Sequence, residues 1–532
     1  MGNSAPTLRQ TSISVLALVL LFSFYRLFHD NMGTGNQNEG DVLPLARHFV
    51  DPSWIAGDWY LNQPAGYRFL FQAIAGKLIL GIGFFATSIV GRLLGYSLIA
   101  WGMTRISQRL GLRLPTLLLS VCVWLFICGQ RLVAREWMIG GFEAKVLAYG
   151  CIVLAISFFL ENRDRWTAAL LGCATSFHVL VGGWSFLAIV GCWGLRWKAR
   201  SIPLSEGAKI LALYGITASF GIQAVLTQLF TPAPPSLLSP SYIYVFLRLP
   251  HHLNPQSWGY QWRIWFMLYL LLLLGRVWQL RSTDPAVLGE EFNSAQQRLA
   301  EFAAMSVVPF LLGVAIAPFD AQGSLLQYYP FRLADVILPM STCLLMGCGL
   351  QQAFVKRPRN WTIACILIVS LIGSFSFSTF QKQLTGFLQF SGAEQRISPE
   401  EKQLYAWIRT HTPKDAVLVS PPADMYGLTW MAERPTIAKY KFLPQGKAGI
   451  LTWYERLSDL AGSTAAWSRG GRLTDGRDEI RDELAIGYNH LTTAQAKALM
   501  QKYAAHYFVA QVEQTLDLPM AYRNARYVLY GR

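Results

Sequence analysis

The 532-residue chain is expected to be mainly α-helical, a polytopic membrane helix bundle of about eleven transmembrane helices with a small C-terminal α/β domain. Three observations predict this. The chain is 53% hydrophobic but only 14% charged, with a mean hydropathy of +0.30, whereas soluble domains carry about 25% charged residues. Its apolar runs reach membrane-spanning length, roughly 18 residues or more. Those runs stop after Phe380, and residues 381–532 then hold 19 Lys+Arg and 15 Asp+Glu.

The first apolar run, 11–28, ends in a bulky stretch that includes Phe24-Tyr25-Arg26 and reads as an uncleaved helix, because no small-residue cleavage site follows it. Further runs lie at 83–103, 116–134, 142–160, 166–177, 179–195, 207–229, 261–280, 301–318, 333–352 and 361–380. With the N-terminus in the cytoplasm, Arg105, Arg109 and Arg113, Arg163 and Arg165, Arg196, Lys198 and Arg200, and Lys356, Arg357 and Arg359 all fall on cytoplasmic segments. The net charge of +15 is then largely a topological signal, and nucleic acid is not an expected partner. The expected setting is a bacterial inner membrane with the C-terminal domain in the periplasm. Residues 166–197 are too short for two full spans, so a short hairpin turning near His178 and Gly182-Gly183 is predicted, lined by protein or a wet cavity.

Polar residues collect in the outer loops. The first, 29–68, carries Glu39-Gly40-Asp41 and Gly57-Asp58-Trp59-Tyr60, and holds five acids against Arg47 and Arg68. Residues 42–50 and 66–80 look amphipathic, as interfacial helices do. The second holds Arg135-Glu136 and Gly140-Gly141-Phe142-Glu143-Ala144-Lys145; a third, 230–260, holds Arg248, His251 and His252; a fourth, 318–332, ends at Arg332, with Asp335 just inside the next helix. Any one such group has an ordinary reading as an interface anchor, a helix cap or an ion-paired residue. Four loops of ionisable groups on one face of a membrane point to a site.

In the C-terminal domain, Ser398-Pro399-Glu400-Glu401 is a capping box opening a helix with Leu404, Trp407 and Ile408 on one stripe. Residues 446–460 and 493–504 read as helices; 416–419, 506–510 and 527–530 read as strands. The eight cysteines lie in apolar runs without metal or redox spacing and read as packing residues. The chain holds no P-loop, GxSxG or GxGxxG.

The order of parts, with Gly140–Lys145, Tyr329-Pro330-Phe331-Arg332, Trp407-Ile408-Arg409-Thr410-His411-Thr412-Pro413-Lys414-Asp415-Ala416, Glu433-Arg434-Pro435 and Trp453-Tyr454-Glu455-Arg456, resembles the GT-C superfamily of membrane glycosyltransferases, within it an uncharacterised bacterial group. The resemblance implies a polyprenyl-phosphate-linked sugar as donor, a glycan, lipid or protein as acceptor, an acid of the first outer loop as base or metal ligand, and basic residues on the lipid phosphate. Carried over, Asp41 is the general base; Glu39 assists it or shares a divalent metal (Mg or Mn) with it. Arg332 binds the phosphate, helped by Lys145 or Arg135. Glu143 is a further catalytic candidate. His178, Arg248 and His251 are candidate substrate contacts. The chain lacks a WWDYG motif, so an oligosaccharyltransferase is not expected, and it has Glu-Gly-Asp where many relatives have DxD. The competing readings are a lipid or solute transporter and a non-catalytic membrane scaffold. Convergence of Asp41, Glu143 and Arg332 on one cavity separates transferase from both.

Overall fold

The computed structural model describes residues 7–29, 38–196, 203–282, 289–390, 397–462 and 477–532; Lys198 and Arg200 lie outside them. Six helices are long and apolar enough to cross a membrane: Leu8–Arg26, the run Gly66–Leu110, Gln261–Ser282, Glu290–Ile316, Arg332–Ala353 and Pro358–Thr385 of a helix that continues to Phe390. The pair Leu204–Thr217 and Ser219–Phe230 is long and apolar enough only when taken together, and it is bent by 75° at Ala218, the shape of a broken span or a re-entrant loop. The shorter apolar helices 114–127, 144–160 and 179–195, with Asp164–Phe177, complete a set that coincides with the expected segments. The protein is thus a multi-pass membrane helix bundle carrying a small α/β domain.

We label Leu8–Arg26 α1, Glu39–Val50 α2 and Phe69–Leu110 α3. α3 is two helices in one: Gly83 takes φ 78°, ψ 168°, and breaks the interfacial stretch from the span. Across the span, Gly95 and Gly102 let α3 approach the helix Ala144–Leu160 (α5, after α4, Leu114–Cys122) closely. A Cβ on Gly95 would sit 2.4 Å from the Val146 side chain, and one on Gly102 2.8 Å from the Leu154 backbone. α2 departs from the expected interfacial helix. Leu45 packs with Ile55, Tyr60 and Leu61 against Tyr426 and Phe442 of the C-terminal domain, so α2 is clamped between α3 and that domain.

The helix expected to run to 134 stops at 127, because Gly129 and Gln130 both turn into the left-handed region (φ 60° and 69°). The chain to Glu143 is irregular. The predicted hairpin is present as α6 (Asp164–Phe177) and α7 (Val179–Leu195). Its turn is His178 alone, extended at φ −152°, and not the Gly182-Gly183 pair. Gly182 is helical and serves close approach, since a Cβ there would meet Thr175 N at 2.2 Å. Trp193 Nε1 donates to Asp164 Oδ1 (3.0 Å), bringing the two far ends together. At about 1.5 Å per residue, both arms are shorter than a bilayer core of about 30 Å.

In the C-terminal domain the capping box at Ser398 and Glu401 forms and opens the helix Pro399–His411. Strands β1 (Leu418–Val419), β2 (Tyr507–Gln511), β3 (Met520–Arg523) and β4 (Tyr527–Gly531) order as β1-β2-β4-β3, with only β1–β2 parallel. β3 and the helix Arg477–Asn489 were not among the expected elements. Arg434 explains two of the quoted motifs: it donates to Thr412 Oγ1 (2.9 Å), Thr412 O (2.7 Å) and Arg409 O (2.9 Å), stitching the Glu433-Arg434-Pro435 turn to the helix end. The domain docks on the first loop through Asp58, which accepts from Thr436 N (2.9 Å) and from Tyr60 and Leu61 N (both 3.0 Å).

Lys439 is buried in this domain, donating to Pro421 O (2.7 Å) and Asp424 O (3.1 Å). Burial pushes its ammonium down to about 7. The unfolded chain holds that proton up to about 10.4. Between these values the unfolded state binds more protons, so stability should rise with pH, by at most about 1.4 kcal/mol per unit. Thermal unfolding of the purified protein from pH 6.5 to 9.5 should show the rise, and Lys439→Met should flatten it.

Candidate functional site

The two acids of Glu39-Gly40-Asp41 end up in different roles. Glu39 is buried. Its carboxylate accepts from the Ser88 hydroxyl (2.7 Å), Arg92 Nε (2.8 Å) and Phe142 N (2.5 Å). Arg92, fully buried, also donates to the carbonyls of Arg26 (2.9 Å), Leu27 (3.1 Å) and His29 (2.7 Å). This pair braces α1, α2, α3 and the Gly140–Lys145 segment together. A Cβ on Gly141 would lie 3.1 Å from Glu39 Oε1, which is why a glycine suits that position. Both Glu39 oxygens are occupied, so the expectation that Glu39 assists Asp41 or joins it on a metal does not fit the geometry. Among the described residues no group of three or more His, Cys, Asp or Glu could hold a metal ion. Asp41, two residues on, accepts from the Tyr60 hydroxyl and lies 3.7 Å from Arg68 Nη1.

The second cluster is organised by Asp335. Its Oδ1 accepts from the backbone N–H of Leu132 (3.2 Å), Val133 (2.6 Å) and Ala134 (2.8 Å), and its Oδ2 from Glu136 N (2.9 Å). Asp335 is taken up by this nest of amides and not by Arg332, three residues before it. Arg332 instead meets Glu136, with Nε 2.7 Å from Oε2, and Lys145 Nζ lies 3.2 Å from Oε1. Burial alone pushes the Glu136 carboxyl up; Arg332 and Lys145 overcome it and hold the group down at about 2. Each cation also covers an aromatic ring, Lys145 that of Trp137 at 3.6 Å and Arg332 that of Tyr329 at 3.8 Å. Arg332 Nη1 lies 3.1 Å from His178 Nε2. An arginine can only donate, so this nitrogen accepts, while Nδ1 faces the Val181 N–H at 3.5 Å. The hairpin break therefore aims its histidine at Arg332.

All nine residues singled out in the sequence line one cavity of about 590 Å³: Asp41, Glu39 and Glu143; Arg332, Lys145 and Arg135; His178, Arg248 and His251. Glu143, the residue before α5, keeps Oε1 buried and without a hydrogen-bond partner. Burial raises its carboxyl above the ordinary value, against the pull of Lys145. Arg135 is exposed, in the left-handed region at φ 54°. The His251 and His252 rings lie 4.0 Å apart, tilted by 41°, and His252 Nδ1 is 2.5 Å from Ala134 O, so His252 fastens this loop to the Asp335-bound segment. Arg248 Nη2 donates to Lys441 O (3.1 Å), and Lys441 and Gln445 of the C-terminal domain complete the lining. Glu136, Tyr67, Lys441 and Gln445 were not singled out; nothing in their spacing distinguishes them. A second, apolar cavity of about 400 Å³ lies among Val179, Trp184, Leu312, Tyr328 and Pro330. Its lining and that of the polar cavity interleave along the chain at His178-Val179 and Tyr328-Tyr329-Pro330.

A family model described as a domain of unknown function (DUF6798) matches residues 399–460. No curated protein matches the chain. Among solved structures, the chain is similar to ArnT from Cupriavidus metallidurans bound to undecaprenyl phosphate, at 13% identity and TM-score 0.48, covering 98% of each chain. It is also similar to the archaeal oligosaccharyltransferase AglB from Archaeoglobus fulgidus in complex with an inhibitory peptide and a dolichol-phosphate, at 10% identity and TM-score 0.48, covering 94% of this chain and 69% of that one.

Removing the shared counter-charge should both loosen the site and make it avid for anions. Glu136→Gln is expected to lower Tm, since it strands two buried cations, at a cost of about 3–5 kcal/mol. Inorganic phosphate should restore more of that Tm in the variant than it adds to the native protein. Equal phosphate responses in the two proteins would contradict this reading of Glu136.

Proposed function

We propose that the protein is a membrane glycosyltransferase that moves a sugar from a polyprenyl-phosphate-linked donor to an acceptor hydroxyl on the extracytoplasmic side of a bacterial inner membrane. One observation carries the reading: a polar cavity with paired cations beside an apolar cavity. That combination suits an amphipathic ligand with a phosphate head and a hydrocarbon chain. Convergence of Asp41, Glu143 and Arg332 on the polar cavity speaks against a scaffold with scattered polar groups, and against a pore between symmetric halves.

Arg332 and Lys145 hold the donor phosphate. Together with Glu136 they carry a net charge of one positive unit, which matches the single negative charge of a sugar phosphodiester. The planar Arg332 fork suits phosphate oxygens and places charge where the leaving group gains it. His178 fixes the other edge of that fork. The acceptor oxygen attacks the anomeric carbon, the carbon–oxygen bond to phosphate breaks, and the acceptor proton goes to a carboxylate. Among the two carboxylates left for this role, Glu143 fits better than Asp41. Its Oε1 is buried without a hydrogen-bond partner, the group's side-chain bond being to Asn38, and its proton affinity is raised, whereas Asp41 is engaged by Tyr60 and Arg68. Asp41 then orients the sugar from the opposite loop.

The test uses the purified protein in lipid nanodiscs with a panel of polyprenyl-phosphate sugars. Arg332→Ala should weaken binding of polyprenyl phosphate at least about 10-fold, by analogy with losing one charge-assisted bidentate contact; unchanged affinity would remove Arg332 from the phosphate site. Glu143→Gln should lower turnover by roughly 100- to 10,000-fold. Because Glu143 must be ionised to accept the proton, kcat/KM should fall as pH drops through its raised value, above the ordinary carboxylate range. Asp41→Asn should slow the reaction yet keep that acid limb. Loss of the limb in Asp41→Asn, with its retention in Glu143→Gln, would return the base to Asp41.

A further inference from the structure

The donor phosphate leaves a surplus of positive charge in the cavity. Arg332 and Lys145 are offset by Glu136 and the donor phosphate together, and Arg68 by Asp41. Arg131, Arg135 and Arg248 also line the cavity, and among the described residues none has a carboxylate at ion-pairing distance. Arg131 and Arg135 are exposed at its rim, whereas Arg332 and Lys145 are nearly buried. Arg248 has its Nε buried without a hydrogen-bond partner, while its Nη2 is anchored on Lys441 O. The Arg248 and Arg135 segments are tied together, because His252 sits against Ala134 O, the residue beside Arg135. Asp335 in turn holds the backbone from Leu132 to Glu136 from below. Such a rim offers an anion three guanidinium groups that no carboxylate neutralises, and the buried unused donor of Arg248 is costly unless something accepts from it.

We infer that Arg131, Arg135 and Arg248 form a second anion subsite, distinct from the donor-phosphate site, and that it receives a phosphate or carboxylate carried by the acceptor. The acceptor is thus an anionic glycan or lipid headgroup, not a neutral one. This rests on the transferase reading, since it takes the Arg332–Lys145 pair as the donor's site. The rim reaches from the Asp335-bound loop to the C-terminal domain, so the anion also orients the acceptor toward Glu143.

The experiment measures binding to the full-length protein in nanodiscs with four probes: undecaprenyl phosphate, a neutral disaccharide, the same disaccharide bearing a phosphate, and the same disaccharide bearing a carboxylate. At least one anionic disaccharide should bind 10-fold or more tightly than the neutral one, and comparison of the two identifies which anion is preferred. The double variant Arg131→Gln/Arg135→Gln should abolish that preference and leave undecaprenyl phosphate affinity within twofold, which also reports that the variant is folded. Arg248→Lys should give an intermediate loss. If the anionic and neutral disaccharides bind alike, or if the double variant weakens undecaprenyl phosphate as much as the anionic disaccharides, the second subsite is overturned. If undecaprenyl phosphate fails to bind while the anionic preference persists and depends on the arginines, the subsite stands and the donor assignment falls instead.

Discussion

The polar cavity depends on one carboxylate that never faces it. Asp335 gathers four backbone amides of the segment 132–136. That segment has no helix to satisfy its N–H groups, and buried amides must find acceptors. By supplying them, Asp335 fixes the loop against the start of its own helix and sets Glu136 across from Arg332, one turn away from Asp335. Lys145, His178 and His252 then fall into place around the same few residues. A nest of this kind fixes backbone and charge at once.

The bundle was largely legible because span length and apolar composition are properties of single segments. The short hairpin was legible too, since 32 residues cannot hold two full spans, although its turn sits at His178 and not at the glycines. The C-terminal capping box read directly from Ser398 and Glu401, while the four-residue strand Met520–Arg523, largely exposed, offered no apolar alternation to notice. Leu132-Val133-Ala134 looked like the end of a span; they belong to a loop instead, because Gly129 and Gln130 turn the backbone and Asp335 replaces the helical hydrogen bonds.

For the site, residue types were legible and pairings were not. Acids and bases on one face announced a cavity, and the nine chosen residues do line it. Spacing could not say that Glu39 is consumed by Arg92, a residue 53 positions later, or that Arg332 passes over its near neighbour Asp335 for Glu136. Those choices follow from which groups are buried together, and a buried carboxylate takes whatever donor the packing brings to it. Glu136 itself gave no local signal, though it is the residue on which both cations converge.

The cavity draws on the chain from Arg26 to Gln445, and one wall of it belongs to the C-terminal domain. Its parts therefore leave the ribosome far apart in time. A ribosome that has finished every described span has still not produced the site, because Lys441 and Gln445 arrive only afterwards, as does Thr436, the partner of Asp58. Such long-range closure is slow and all-or-none. A nascent chain lacking Lys441 and Gln445 would sit in the bilayer with its charged pocket open on one side, so the chain's own order acts as a timer that withholds the finished pocket until they have been made.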